Sequence, residues 1–125
     1  MTDDQNAKVL TAVQAASGKW RAAFNRGDAA GCAAAYEEGA VMTAKPFGSF
    51  TGRSEIQAFW DKIVADGFAE VDYIEPEIQV IDETSAVLTS KWRMNKAHGV
   101  ITKELWVLQD DGTALLREDD FEVLG

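Results

Sequence analysis

Cysteine and histidine are almost absent from this chain: Cys32 and His98 are the only ones in 125 residues. A single cysteine excludes an intrachain disulfide, and a zinc site loses its ordinary Cys and His ligands. Proline is scarce as well, with only Pro46 and Pro76, and no low-complexity tract suggests a disordered linker. No apolar run approaches the roughly 20 residues that span a bilayer. The opening Met1-Thr2-Asp3-Asp4 lacks the basic and apolar pattern of a secretory leader. Cations are also in short supply, 12 Lys and Arg against 21 Asp and Glu, for a net charge of −9. Such a surface repels phosphate backbones and anionic lipid, which disfavours nucleic acid or a membrane as partner. The expectation is a soluble protein of the reducing cytoplasm.

What is present fits one packed unit over residues 1–125, with 46% hydrophobic and 26% charged residues. Thr2 and Gln5 have the spacing of a capping box, and Val9, Val13, Ala16, Trp20 and Phe24 then mark one apolar helix face. Gly27 can end that helix in a left-handed conformation, and Asp28 can cap a second helix carrying Cys32, Ala35 and Tyr36, closed by Gly39. Val41 to Ala44 reads as a short strand, followed by a loop from Lys45 to Phe50. Ser54 and Gln57 repeat the capping-box spacing before Ile56, Phe59, Trp60, Ile63 and Val64, an amphipathic third helix.

From Glu70 onward the period changes to two. Ile74, Ile78 and Val80 share one side of a strand in which Pro76 marks a bulge. Ala86, Leu88, Ser90, Trp92 and Met94 line one face of the next strand. Val100 to Gln109 and Ala114 to Val123 follow, joined through Asp110-Asp111-Gly112, a strong hairpin signal. The order α-α-β-α-β-β-β-β predicts an α+β fold with helices on one face of an antiparallel sheet. A strongly curved sheet around a long helix leaves an apolar cavity at its open end, where small ligands bind.

The run Trp20-Arg21-Ala22-Ala23-Phe24-Asn25-Arg26-Gly27-Asp28 resembles the end of the first helix in NTF2-like proteins, including the SnoaL-like and ketosteroid-isomerase-like groups. Tyr36 to Val41, Phe50 to Ile56 with Phe59-Trp60, and the hairpin from Trp106 to Phe121 are similar to that superfamily in the same order. The resemblance implies a cystatin-like cone of three N-terminal helices on a curved antiparallel sheet. It does not imply one activity, because the cone hosts isomerases, cyclases, dehydratases and binding modules. The ketosteroid isomerases use a carboxylate base with a tyrosine and a protonated acid as oxyanion donors, a case the general theory of pKa tuning takes as its own example. Placed on that pattern, this chain has Trp20 where the tyrosine stands, Ala44 or Lys45 where the base stands, and Glu104 near the oxyanion acid. Two of the three roles are missing, so that mechanism is not expected.

Candidate site residues follow from strand parity. Glu104 shares a face with Thr102, Trp106 and Leu108. If that face lines the cone, burial among indoles raises its pKa and suits it to general acid–base work; otherwise it is a solvated glutamate. Arg117 and Asp119 alternate with Leu115, Phe121 and Val123, so they form either a ligand-binding charged pair or a structural ion pair at the rim. His98 stands in a turn facing water or acts as an acid–base, Lys45 is a surface loop residue or an amine nucleophile, and Cys32 is a small buried hydrophobe.

Trp20, Phe24, Tyr36, Met42, Trp60, Trp92, Trp106 and Phe121 are the expected pocket lining. Indoles are hard to bury completely without a polar partner. The reading is a small, largely apolar ligand, no metal and no cofactor, with cofactor-free proton transfer as the reaction class. A non-catalytic binding or interaction module is the alternative. A homodimer through the outer sheet face, at Val87, Leu105 and Val107, is expected as well.

Overall fold

The computed structural model describes residues 3–125. Its first element is α1, Asp3–Asn25, with Val9, Val13, Trp20 and Phe24 buried on one face as their spacing requires. Thr2, half of the expected capping box, lies outside the described residues, and Gln5 donates to the Glu83 carbonyl at 2.6 Å. Gly27, at φ 76°, takes the left-handed turn after the helix. The Asp28 carboxylate accepts the Gly31 amide at 2.9 Å and caps α2, Ala29–Ala34.

That second helix is shorter than expected, and Tyr36 is not on it. Tyr36 opens β1, Tyr36–Lys45, which turns at Pro46 and Phe47 into β2, Gly48–Thr51. The stretch read as a loop is therefore half a hairpin; Gly48 and polar Ser49 gave no period-two signal to mark it. The α3 helix, Arg53–Ala65, starts two residues earlier than its capping-box pattern suggested. Gly52 stands at its N-cap with φ 87°, and Glu55, rather than Ser54 with Gln57, takes a free amide, that of Thr51 at 3.0 Å.

Four strands complete the chain: β3 (Asp72–Val80), β4 (Ser85–Arg93), β5 (His98–Leu108) and β6 (Ala114–Val123). They join the first two in one curved, mostly antiparallel sheet of order β2-β1-β6-β5-β4-β3, in which only β1 and β6 run parallel. The three helices pack against this sheet, so the molecule is α+β with the cystatin-like arrangement. The α1 helix crosses the concave side against β3 to β6, and α3 covers β1 and β2. Between helices and sheet lies one apolar core that includes Val13, Phe24, Ile56, Leu88, Trp106 and Leu116. The side chain of Asn25 ties the end of α1 to the residue just before β3, taking the Val71 amide at 2.7 Å and donating to its carbonyl at 3.2 Å.

Candidate active site

Three β-bulges set which side chains enter the concave face. In β6, Leu116 pairs with Trp106 and Glu118 with Leu105, which leaves Arg117 as an extra, unpaired residue. Parity before it is even (Ala114, Leu116 inward) and after it odd (Asp119, Phe121 inward). Arg117 is therefore turned outward, a correction to the expected inward pair. It forms an exposed ion pair with Glu37, Nε to Oε1 at 2.7 Å. In β5 the extra residue is Thr102, so Ile101 and Glu104 both face inward and Thr102 faces water. In β3 the bulge at Glu75 and Pro76 turns Tyr73 inward with Ile78 and Val80, and Ile74 to the opposite face.

The result is a pair of acids facing each other. Glu104 and Asp119 are direct cross-strand partners on the concave side, each at 4% of full exposure. Glu104 accepts two hydrogen bonds, from the Trp106 indole at 2.9 Å and the Tyr73 hydroxyl at 3.0 Å. Asp119 accepts one, from the Tyr36 hydroxyl at 2.6 Å on Oδ2, and its Oδ1 is buried without a partner. Burial first, and then the neighbouring Asp119 charge, pushes Glu104 up to about 8. Burial, opposed by the Tyr36 hydrogen bond, pushes Asp119 up to about 7. They titrate as a pair, and the pair keeps a proton at neutral pH. Burial also holds both phenols well above their ordinary 10, so Tyr36 and Tyr73 remain donors.

The acids open onto a cavity of about 30 Å³ walled by Trp20, Trp60, Val71, Tyr73, Trp92, Met94, Ile101 and Phe121. No cation stands in that wall. A second chamber of about 170 Å³ shares Trp60, Trp92, Met94 and Phe121 with it and runs to a rim at Phe47, Phe68 and Lys96. Trp60 and Phe121 stack with ring centres 5.8 Å apart, and Gly99 leaves the room that the Trp92 ring fills.

Of the expected lining, Trp20, Trp60, Trp92 and Phe121 reach the cavity wall. Tyr36 and Trp106 reach the acids through their polar tips. Phe24 and Met42 lie behind, fully buried in the core. Tyr73 escaped sequence reading because the Pro76 bulge reverses its parity. A bulge taken to its consequence, a change of inward side, would have found it. His98 is exposed beside Gly125, Lys45 ends β1 in solvent, and burial pushes the Cys32 thiol up to about 12. Among the described residues no group of three or more His, Cys, Asp or Glu is gathered to hold a metal ion, and no helix is long and apolar enough to cross a membrane.

The SnoaL-like domain profile matches residues 18–119, a span that runs from the end of α1 through both acids. The chain belongs to the SnoaL-like domain family. Solved structures place this SnoaL-like domain in the wider NTF2-like and ketosteroid-isomerase-like fold. A candidate scytalone dehydratase from Novosphingobium aromaticivorans superposes with a TM-score of 0.82 at 17% identity, over 99% of this chain and 89% of that one. A ketosteroid isomerase-like protein from Erwinia carotovora atroseptica gives 0.79 at 16% identity, over 93% and 96%. A candidate calcium/calmodulin-dependent protein kinase II association domain from Xanthomonas campestris gives 0.78 at 15% identity, over 90% and 85%. At such identities the likeness is one of fold. No curated protein matches the sequence.

Proposed function

We propose that this SnoaL-like domain moves a proton on a small, largely apolar, uncharged carbonyl compound without a cofactor, using Asp119 and Glu104. The observation that carries the reading is the buried carboxyl pair with one open atom, Asp119 Oδ1, in an aromatic cavity. Both Glu104 oxygens are engaged, so Asp119 Oδ1 is the atom free to take a proton alpha to a carbonyl and return it to a neighbouring atom. Tyr36 fixes the Asp119 carboxyl, and Glu104 holds the proton or charge that Asp119 does not. The ligand is uncharged because an anion would meet two acids and no cation in the inner wall. Its apolar body fits the outer chamber. The dehydratase and isomerase names of two fold neighbours accord with proton transfer and lend the reading its direction.

Deuterium uptake at the alpha carbon of small aryl ketones in D₂O tests this reading. Asp119→Asn and Glu104→Gln should each lower the catalysed exchange by about a hundredfold or more. A ketone that binds the native protein yet exchanges only at the buffer rate would make the domain a binding module. The proposal includes pairing of two copies through the outer sheet face. There Val87 and Leu105 are half-buried cross-strand partners, and Val107, on the same strand as Leu105, is nearly covered.

A further inference from the structure

The acids account for the acceptors of the cavity and leave its donors unexplained. Trp20, Trp60 and Trp92 all stand in the wall, each at 6% of full exposure or less, and the indole N–H of each is buried without a hydrogen-bond partner. The Trp60 ring comes near enough to the Tyr36 hydroxyl to weigh on its acidity, but not in hydrogen-bond geometry. The fourth tryptophan, Trp106, is different, because its N–H already donates to Glu104 at 2.9 Å. Three orphan donors on one small wall are unusual, since buried polar groups are nearly always paired. An indole N–H can only donate, so whatever satisfies these three must accept.

A space of about 30 Å³ holds one or two water-sized groups, which brings any occupant close to several of its walls at once. We propose that Trp20, Trp60 and Trp92 form an acceptor-oxygen site, filled by water in the resting protein and by the carbonyl oxygen of the ligand when one is bound. This rests on the proton-transfer reading and deepens it. Removing an alpha proton through Asp119 Oδ1 moves an electron pair onto the carbonyl oxygen, and the negative charge formed there meets three neutral donors already in place. Returning the proton to carbon restores the carbonyl, so the step needs no co-reactant. The site also restricts the ligand: its deep end carries an oxygen with open lone pairs, and its apolar body follows Trp60, Trp92, Met94 and Phe121 into the outer chamber.

The test uses the full chain labelled with ¹⁵N and two probes of nearly one shape, acetophenone and α-methylstyrene, in which C=CH₂ replaces C=O. In the free protein, the indole N–H protons of Trp20, Trp60 and Trp92 should show cross-peaks to a long-lived water. Acetophenone should remove these cross-peaks and move at least two of the three resonances downfield. α-Methylstyrene should not move them downfield, and Trp106 should stay still with both probes. Trp60→Phe or Trp92→Phe should weaken acetophenone binding about fivefold more than α-methylstyrene binding, since both probes lose the same packing and only the ketone loses a donor. Equal shifts with both probes, or a bound ketone with no downfield shift, would overturn the site. So would a dry cavity that takes neither probe. Glu104→Gln separates the two proposals: it should lower deuterium uptake by about a hundredfold or more and keep the acetophenone shifts.

Discussion

Glu104 and Asp119 sit together at the concave face because two strands each insert one residue before it, and the energetics of the pair follow from burial. Both native pKa values lie above the ordinary 4.5 and 3.8, so the folded protein holds protons that the unfolded chain releases. Their favourable contribution is complete below about pH 4. It declines as pH rises through the interval and is gone above about pH 8. Asp119→Asn and Glu104→Gln should therefore each raise stability at pH 8 by about 1 kcal/mol or more and flatten the pH dependence, as read by urea unfolding. A loss of stability at pH 8 in both variants would contradict the burial argument. Arg117 predicts the opposite kind of result. Its bridge to Glu37 is exposed, so Arg117→Ala should change stability by less than about 1 kcal/mol and leave deuterium uptake at the native rate. A drop in uptake would return Arg117 to the site.

At the scale of elements, the bulges do most of the positioning. Period-two reading found β4, β5 and β6 and placed Glu104 and Trp106 on one face, since alternation is faithful between irregularities. It failed across Thr102, Arg117 and Pro76, where one extra residue exchanges inside for outside. Asp119 entered by parity with Phe121, beyond the bulge; Arg117 was carried in with it and Tyr73 was left out. The helix faces were legible because Val9, Val13, Trp20 and Phe24 in α1, and Ile56 and Trp60 in α3, keep helical spacing. The β1–β2 hairpin was not, because its second strand is only four residues and almost wholly exposed. Close approach of β5 to β6 also depends on Gly99, where an added Cβ would meet the Glu122 carbonyl and the Trp92 ring. Gly99→Ala should cost about 2 kcal/mol or more and shift tryptophan emission as Trp92 is displaced. Unchanged emission and stability would mean that Trp92 is not held there.

For the whole molecule, a cone with net charge −9 buries two acids of raised pKa beside an aromatic lining to which α1 contributes Trp20. The outer face of the same sheet is where a second copy would pair. Sedimentation velocity should find a dimer, and Leu105→Lys should give a monomer that keeps its deuterium uptake. A native monomer would remove the pairing and leave the cavity untouched. Glu104 and Asp119 act as one buried acid–base unit in this scheme, and the ¹³C resonances of their side-chain carboxyls, followed from about pH 3 to pH 9, report on it. Two linked titration steps, at least one above about pH 6.5, are expected. Independent ionisation of both groups below about pH 5 would contradict the account.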